Sequence, residues 1–277
     1  MSFFRIIAII QFVLFSSFLM AQNKTLVKVW ETDSTFKVPE SVFYSPGDSF
    51  LYVSNIDGKP NEKDLKGSIS KMSLDGKQIM HDWAINFSAP KGMARYKNNL
   101  YVADLDELAV VDILSGKTLK RIPIVGAVFL NDVTVDETGI VYVSDSRKGL
   151  IHRVENDIPS VFMTDKNNVN GLLAVEDGMY VCVKDTLFKV DKNKKLTVIT
   201  TGMDESSDGI VRLANKDLIV SCWNGIIYWI NQQGQKVTLL DTRKEKINTA
   251  DIGLDPTTNI LYVPTFFHNT IAAYKFQ

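Results

Sequence analysis

Short apolar strands separated by polar turns repeat along most of the chain, and one strand phrase recurs six times. The phrase is an apolar residue followed by Tyr-Val-Ser-Asp or a close variant, as at 51–55, 100–104 and 141–145. Its second residue stands at positions 52, 101, 142, 180, 219 and 262, so consecutive copies are 38 to 49 residues apart. Repeats of this length, with several strands in each, are typical of propeller blades.

Each unit contains a pattern of four short strands. In the second unit the pattern predicts strands over 92–96, 100–103, 108–113 and 118–124. Turn residues join the third and fourth strands of other units at matching places, for example Asp75-Gly76, Asn156-Asp157 and Gln233-Gly234. The last unit has only three strands, and we expect the segment 26–30 to supply its fourth. The sequence therefore predicts an all-β, six-bladed propeller with four-stranded blades, the last closed by an N-terminal strand. A β-sandwich or barrel is the alternative.

The first 22 residues differ from the rest of the chain. One cation, Arg5, precedes an apolar run over 6–20, which is the pattern of a secretory signal peptide. An uncleaved membrane anchor is the alternative. We therefore expect residues 1–22 to be a signal peptide and residues 23–277 to form one propeller domain. The mature protein would be secreted or periplasmic and would have no membrane span.

The charge balance and the cysteines exclude some classes of function. The formal net charge is −1 and no block of like charge occurs, so the chain lacks the basic surface that nucleic-acid binding requires. Cys182 and Cys222 each lie in an apolar strand pattern, which predicts buried free thiols rather than a disulfide framework. The three histidines do not have the spacing of zinc ligands.

Polar residues precede the innermost strand of nearly every predicted blade. These strands begin at one mouth of the central channel, so residues at this place are neighbours in space. We align the six units on the first inward apolar residue of each innermost strand. Two positions before it stand Glu40, Lys91, Asn131, Asn170, Asp208 and Ala250. One position before it stand Ser41, Gly92, Asp132, Gly171, Gly209 and Asp251. Carboxylate and amide oxygens are the ligands that hard divalent cations prefer. The alternative is that these are ordinary turn residues.

The loops after the second strands should rise at the same mouth. Their polar and aromatic residues are candidates for its walls: Asp57, Asp104, Asp106, Arg147, Asp185, Trp223, Asn224, Phe267 and His268. The longest of these loops spans 56–67, and it is either a lid over the mouth or a surface insertion.

Four of these segments resemble one protein family: Pro39-Glu40-Ser41, Asn131-Asp132, Asn170-Gly171 and Ser207-Asp208-Gly209 are similar to motifs of the regucalcin and gluconolactonase propellers. The resemblance implies that Glu40, Asn170 and Asp208 hold one divalent cation, calcium first and magnesium, manganese or zinc as alternatives. It also implies that Asn131 contacts the substrate. The implied reaction is hydrolysis of a lactone, with Asp208 handling the proton.

One position departs from the family pattern. Where characterised lactonases of the family often have an arginine, two residues before the asparagine of the Asn-Asp motif, this chain has Phe129. Lys91 and Arg147 are candidates to replace the missing cation, and Phe129 and Trp223 would make the mouth more apolar. Two functions therefore stay open. The protein is a metal-dependent hydrolase of a lactone or similar ester, or it is a non-catalytic propeller that binds a small molecule, a glycan or a protein at its mouth.

Overall fold

The computed structural model describes residues 24–277, and the predicted signal peptide at residues 1–22 lies outside them. The described chain forms six antiparallel sheets of four strands each. A short 3₁₀ turn, Phe266–His268, is the one helix in this range, and no helix there is long and apolar enough to cross a membrane. The strands are β1 (Leu26–Glu31), β2 (Pro39–Ser45), β3 (Phe50–Asn55), β4 (Gly67–Ser73), β5 (Ile79–Phe87), β6 (Pro90–Tyr96), β7 (Asn99–Asp104), β8 (Glu107–Asp112), β9 (Thr118–Pro123), β10 (Leu130–Val135), β11 (Val141–Asp145), β12 (Leu150–Glu155), β13 (Ile158–Met163), β14 (Val169–Val175), β15 (Gly178–Val183), β16 (Thr186–Asp191), β17 (Leu196–Thr200), β18 (Ser207–Arg212), β19 (Leu218–Cys222), β20 (Ile226–Ile230), β21 (Lys236–Asp241), β22 (Gly253–Asp255), β23 (Ile260–Pro264) and β24 (Ile271–Phe276).

The blades follow one another along the chain, and the last one is closed by the N-terminal strand. Strands β2 to β21 form five blades of four consecutive strands each. The sixth blade has the order β22-β23-β24-β1, in which Leu26 pairs with Phe276 and Glu31 with Ala272. This pairing covers the outer edge of the blade and joins both ends of the described chain in one sheet. The predicted six-bladed propeller with its N-terminal closing strand is confirmed.

The innermost strand of the sixth blade is shifted by one residue from its predicted position. The pattern predicts this strand over 252–254, whereas β22 spans Gly253–Asp255. The backbone of Asp251 instead pairs with the first blade: its N–H donates to the Glu40 carbonyl at 3.0 Å, and its carbonyl accepts from Val42 at 3.1 Å. The ring therefore closes at the axis through a parallel bridge as well as at the outer edge.

The hydrophobic core lies between adjacent blades. One of its clusters combines Tyr52 and Ile69 of the first blade with Met93 and Val102 of the second. Tyr52 is fully buried, and its ring centroid lies 4.9 Å from that of Trp83. Since each buried large apolar side chain contributes about 1.5–3 kcal/mol, the repeated Tyr-Val phrase stabilises the contact between blades.

The predicted turns between the two outer strands of three blades have the positive φ values that tight hairpins require. Asn156 and Asp157 both have positive φ, at 50° and 65°, as a two-residue hairpin turn of the I′ type requires. Gly76 and Gly234 have φ of 73° and 78° at the corresponding places in their blades. The turn residues therefore set the register of the outer hairpins.

The two cysteines are buried free thiols, as their strand patterns predict. Cys182 lies in β15 and Cys222 in β19, on the second strands of adjacent blades. Burial raises the pKa of each thiol well above its usual value. Both therefore belong to the packing between blades four and five.

Candidate functional site

A cavity of about 420 Å³ opens at the end of the channel where the innermost strands begin. Eight of its lining residues are among those predicted for the mouth: Glu40, Lys91, Phe129, Asn131, Asn170, Asp208, Trp223 and Phe267. Two more, Ile56 and Pro60, belong to the long loop 56–67, and six further lining residues have no counterpart in the prediction: Ser146, Asn168, Glu205, Ser206, Ser207 and Phe266. Several of these residues stand one to three positions before an innermost strand. An alignment of the six blades that began a few residues earlier would have identified them.

β-Bulges at the start of the innermost strands direct the polar side chains into the channel. In the fifth blade the register shifts between Ser207 and Ile210, and Asp208 lies in the bulge. A bulge leaves its extra residue outside the ladder and changes the direction of the side chain. The same shift occurs in the first four blades. It places the corresponding residues, Glu40, Lys91, Asn131 and Asn170, around the axis.

The serine of the repeated phrase supports three of these bulges. The hydroxyl oxygens of Ser54, Ser144 and Ser221 each accept a backbone N–H from the bulge of their own blade at 2.9 Å. The donors are Ser41, Asp132 and Gly209. A buried N–H without an acceptor would destabilise the bulge, so the phrase shapes the site as well as the packing between blades. The recurrent serine at its fourth position is the sequence signal for this role.

The aspartate that ends the phrase holds the loop before the innermost strand. Asp145 accepts hydrogen bonds from the backbone N–H of Val128 at 2.8 Å and of Phe129 at 3.2 Å. Asp104 has the same role in the second blade, where it accepts the N–H of Ala89 at 2.7 Å. Asp104 does not line the cavity, so its prediction as part of the wall was wrong.

Three oxygen-bearing side chains of the predicted metal site converge on the floor of the cavity. Asn170 donates from Nδ2 to Oδ1 of Asp208 at 2.8 Å. Glu40 Oε2 and Asn170 Oδ1 are buried and have no hydrogen-bond partner among the described residues. Burial raises the pKa of both Glu40 and Asp208 well above the usual range, and the negative charge of Glu40 raises that of Asp208 further. The floor therefore holds two carboxyl groups that cannot both ionise without cost.

Two more carboxyl groups lie one residue further along the innermost strands. Asp132 accepts the backbone N–H of Leu172 at 2.6 Å, and Asp251 accepts the hydroxyl of Ser41 at 2.5 Å. Burial raises the pKa of Asp251 to about 6 and that of Asp132 well above its usual range. Each of these two carboxylates accepts a hydrogen bond from the neighbouring blade. Asp132 and Asp251 therefore hold blades together and do not provide free oxygen ligands for a metal.

Lys91 is almost completely buried in the wall of the cavity, with 1 % of its surface exposed. Its ammonium donates to the Ala89 carbonyl at 3.0 Å and to the Pro60 carbonyl at 3.1 Å. Burial lowers the pKa of Lys91 to about 8, and the opposing charge of Glu40 limits the decrease. The long loop after β3, through Ile56 and Pro60, therefore borders the cavity and is tied to its wall.

Phe129 lies between two cations at the rim. The Lys91 Nζ and the Arg147 guanidinium carbon are each 4.5 Å from the centroid of the Phe129 ring. Arg147 does not line the cavity itself, but its contact with Phe129 places it beside the opening. The structure thus brings Phe129, the position at which the sequence departs from the family pattern, together with Lys91 and Arg147, the two candidates to replace the missing cation.

An aromatic cluster forms another part of the wall. The rings of Trp223 and Phe266 meet edge to face at 5.3 Å between centroids, and Phe267 contacts both. Phe266 is buried, whereas Phe267 is 64 % exposed at the mouth. Such a wall suits an apolar or ring-bearing ligand.

Five other predicted wall residues do not line the cavity. Their loops direct the side chains to neighbours outside it: Asp57 to Lys37, Asp106 to Lys63, Asp185 to Thr186, Asn224 to Asp204 and His268 toward Glu31. Asp57 has a positive φ of 47°, which turns its side chain away from the course of β3. These predictions were wrong because the side-chain direction depends on local loop conformation.

Within residues 24–277, no group of three or more histidine, cysteine, aspartate or glutamate side chains is arranged to hold a metal ion. The candidate donor set contains two carboxylates and one carboxamide, so it is smaller than such a group. An amide oxygen is nevertheless a normal ligand for calcium or magnesium. Glu40, Asn170 and Asp208 are thus the described residues that could hold a hard cation.

The six four-stranded blades define a six-bladed β-propeller, and a polar cavity lies at one mouth of its channel. No family model and no curated protein matches the sequence. Among solved structures, a streptogramin B lyase is similar with a TM-score of 0.67 and 10 % identity over 92 % of this chain and 98 % of that one.

Two further structures are similar over most of their length. The virginiamycin B lyase of Staphylococcus aureus, in a catalytically inactive form with quinupristin, gives a TM-score of 0.64 at 12 % identity, over 91 % of this chain and 98 % of that one. A protein provisionally assigned as a gluconolactonase gives 0.64 at 15 % identity, over 92 % and 93 %. At these identities the likeness shows the fold alone.

Proposed function

We propose that the protein is an exported, metal-dependent hydrolase that opens a lactone or similar ester at the channel mouth. The observation that carries this proposal is the pair of unpartnered oxygens, Glu40 Oε2 and Asn170 Oδ1, buried beside Asp208. An unsatisfied buried oxygen costs free energy, and two such oxygens beside the Asp208 carboxyl group favour a cation between the three side chains. Export rests on the pattern of residues 1–22.

The donor set fits a divalent cation chemically. Oxygen ligands from two carboxylates and one amide suit calcium first, and magnesium, manganese or zinc as alternatives. Repulsion from Glu40 raises the pKa of Asp208, and a bound cation would offset this repulsion. When bound, such a cation polarises an ester carbonyl and lowers the pKa of a water molecule.

The side chains around this floor have separate roles in the proposed reaction. Asp208 accepts a proton from the attacking water at its carboxylate and returns it to the leaving alcohol. Asn170 orients that carboxylate through its bond to Oδ1. Asn131, whose Nδ2 donates to Ser146 Oγ at 3.1 Å, presents its amide beside the floor and contacts the substrate. Trp223 and the phenylalanines around it exclude water from the apolar part of the ligand.

The structural neighbours agree with this proposal in part. One is provisionally assigned as a gluconolactonase, in line with the resemblance of the sequence motifs. Two are lyases, which carry out another class of reaction on a similar scaffold. The fold alone therefore does not choose the chemistry, and the proposal depends on the donor set.

A second candidate function is a non-catalytic propeller that binds a small molecule, a glycan or a protein at the mouth. The aromatic wall favours it, because Phe267 and Trp223 offer a stacking surface whether or not a reaction follows. Hydrolysis separates the two candidates. A binding protein would leave every lactone and aryl ester intact.

Calorimetric titration of calcium, magnesium, manganese and zinc into the metal-free protein tests the first proposal. We expect binding of one cation, and we expect Asp208→Asn to weaken the affinity at least about tenfold through loss of a charged ligand. Asp106→Asn is the matched control, because Asp106 lies outside the cavity in an exposed ion pair with Lys63. Absence of binding at millimolar metal would overturn the proposal, and a panel of lactones would then be tested only for binding.

A further inference from the structure

Arg147 is exceptional among the arginines of the described chain. Five of the six arginines in residues 24–277 form ion pairs with a carboxylate, and Arg147 is the remaining one. Within this range its guanidinium also donates no hydrogen bond; it lies instead over the ring of Phe129. Stacking on an aromatic face fixes the plane of a guanidinium and leaves its N–H edge free.

Lys91 supplies a second cation beside the same ring. Its two hydrogen bonds, to Pro60 and Ala89, leave one ammonium N–H without an acceptor among the described residues. No carboxylate within residues 24–277 is near enough to form an ion pair with it, although it is buried. Two positive charges thus meet at the Phe129 ring. Glu40 and Asp104 offset the charge of Lys91 from beyond ion-pair distance, whereas Arg147 has no carboxylate partner among the described residues, so a bound anion would relieve the repulsion between the two cations.

We propose that Lys91 and Arg147, organised by Phe129, form a subsite for a carboxylate of the ligand, so that the substrate is an anionic ester or lactone rather than a neutral sugar lactone. The inference rests on the proposed function of this cavity as the ligand site. The planar fork of Arg147 matches a carboxylate with two parallel hydrogen bonds, and the free N–H of Lys91 supplies a third donor. The aromatic wall around Trp223 would take the uncharged part of the molecule.

The charges of the cavity agree with an anionic ligand. A divalent cation would balance the carboxylates of Glu40 and Asp208, which leaves the two cations at Phe129 against one exposed acid in the lining, Glu205. The remaining charge of the wall is then positive. A ligand with one carboxylate would neutralise it.

The test compares β-carboxy-γ-butyrolactone with its methyl ester, which lacks the negative charge and carries one additional methyl group. Calorimetry measures the affinity of each for wild type, Arg147→Gln, Arg147→Lys and Lys148→Gln, with calcium and again with a chelator. We expect wild type to prefer the carboxylate about tenfold or more. Arg147→Gln should lose this preference, and Arg147→Lys should keep part of it. Lys148→Gln should keep it in full, because Lys148 is the adjacent exposed cation in the same turn.

The outcomes separate this inference from the proposed hydrolase. If the preference disappears in Arg147→Gln with calcium absent, the subsite exists whether or not either lactone is hydrolysed. If both compounds are hydrolysed equally well and bind equally, the hydrolase stands and the anion subsite is wrong. Absence of carboxylate binding by wild type at millimolar concentration, or equal loss in Lys148→Gln, would also overturn the subsite.

Discussion

Asn170 donates its amide hydrogen to Asp208 at 2.8 Å, and the other atom of the same amide group, the carbonyl oxygen, is buried without a hydrogen-bond partner among the described residues. The donor also lowers the pKa of Asp208 against the opposing effects of burial and of Glu40. One side chain therefore contributes a neutral oxygen and also favours the ionised form of a neighbouring ligand. The bond joins the innermost strands of blades four and five.

The first prediction concerns this bond. We expect Asn170→Ala to weaken calcium binding by about tenfold, because it removes one oxygen ligand and the donor to Asp208. Asn224→Ala is the matched control, since the Asn224 amide bonds to Asp204 outside the cavity. Calorimetric titration measures both. Equal affinity in Asn170→Ala and wild type would remove Asn170 from the ligand set.

The second prediction concerns the closure of the ring by β1. The Trp30 ring packs 5.9 Å from that of Tyr262 in the last blade, within a core cluster that also includes the first blade. We expect Trp30→Ala to lower the free energy of unfolding by about 2 kcal/mol, less than for a fully buried tryptophan because Trp30 is half-buried. Val29→Ala, at an exposed neighbour, should change it by about 0.5 kcal/mol or less. Guanidinium unfolding measures both values, and equal effects would show that β1 does not hold the ring through Trp30.

The architecture follows from the repeat, which is why the sequence predicts it so completely. A phrase that recurs at blade length fixes the second strand of each blade, and the alternation around it fixes the other three. Even β1 could be predicted, since the last unit lacks a strand and an unassigned β pattern stands at 26–30. The position of Glu40, Asn170 and Asp208 in the cavity could be predicted because the bulge that directs each side chain precedes the first inward apolar residue of its blade.

The walls of the cavity could not be predicted in the same way. Loop residues such as Asp57 and Asp185 follow no strand period, and their direction depends on φ values and on hydrogen bonds that only the fold supplies. The hydrogen bonds that Asp104 and Asp145 accept from loop backbone could not be predicted from the sequence for the same reason. Lys91 and Arg147 come from separate blades, and the contact of both with the Phe129 ring depends on the folded structure.

The third prediction concerns the buried thiols. Burial raises the pKa of Cys182 and Cys222, so neither forms the reactive thiolate in the folded protein. We expect iodoacetamide to leave both unmodified in native buffer and to alkylate both in guanidinium, as mass spectrometry would show. Ser115→Cys in an exposed turn is the positive control for reagent access. Absence of free thiols in the unfolded protein would mean that the two form a disulfide instead.

The last prediction concerns the pH dependence that His152 contributes. This side chain is buried in β12, its Nε2 has no partner among the described residues, and burial lowers its pKa below the usual value although Asp145 opposes the decrease. The unfolded chain takes up the proton near pH ~6.5 while the folded protein resists it. The contribution of His152 to stability is therefore fully present above that pH and is lost as the pH falls through the lower, folded-state pKa.

Replacing His152 with leucine removes the loss of stability that His152 causes at low pH, because leucine does not titrate. We expect the stability of His152→Leu relative to wild type to be more favourable at pH ~5 than at pH ~7.5. Urea unfolding of both proteins at the two pH values measures the difference, and the comparison cancels the titration of groups that the substitution does not affect. A relative stability that is the same at both values would mean that the folded protein protonates His152 as readily as the unfolded chain does.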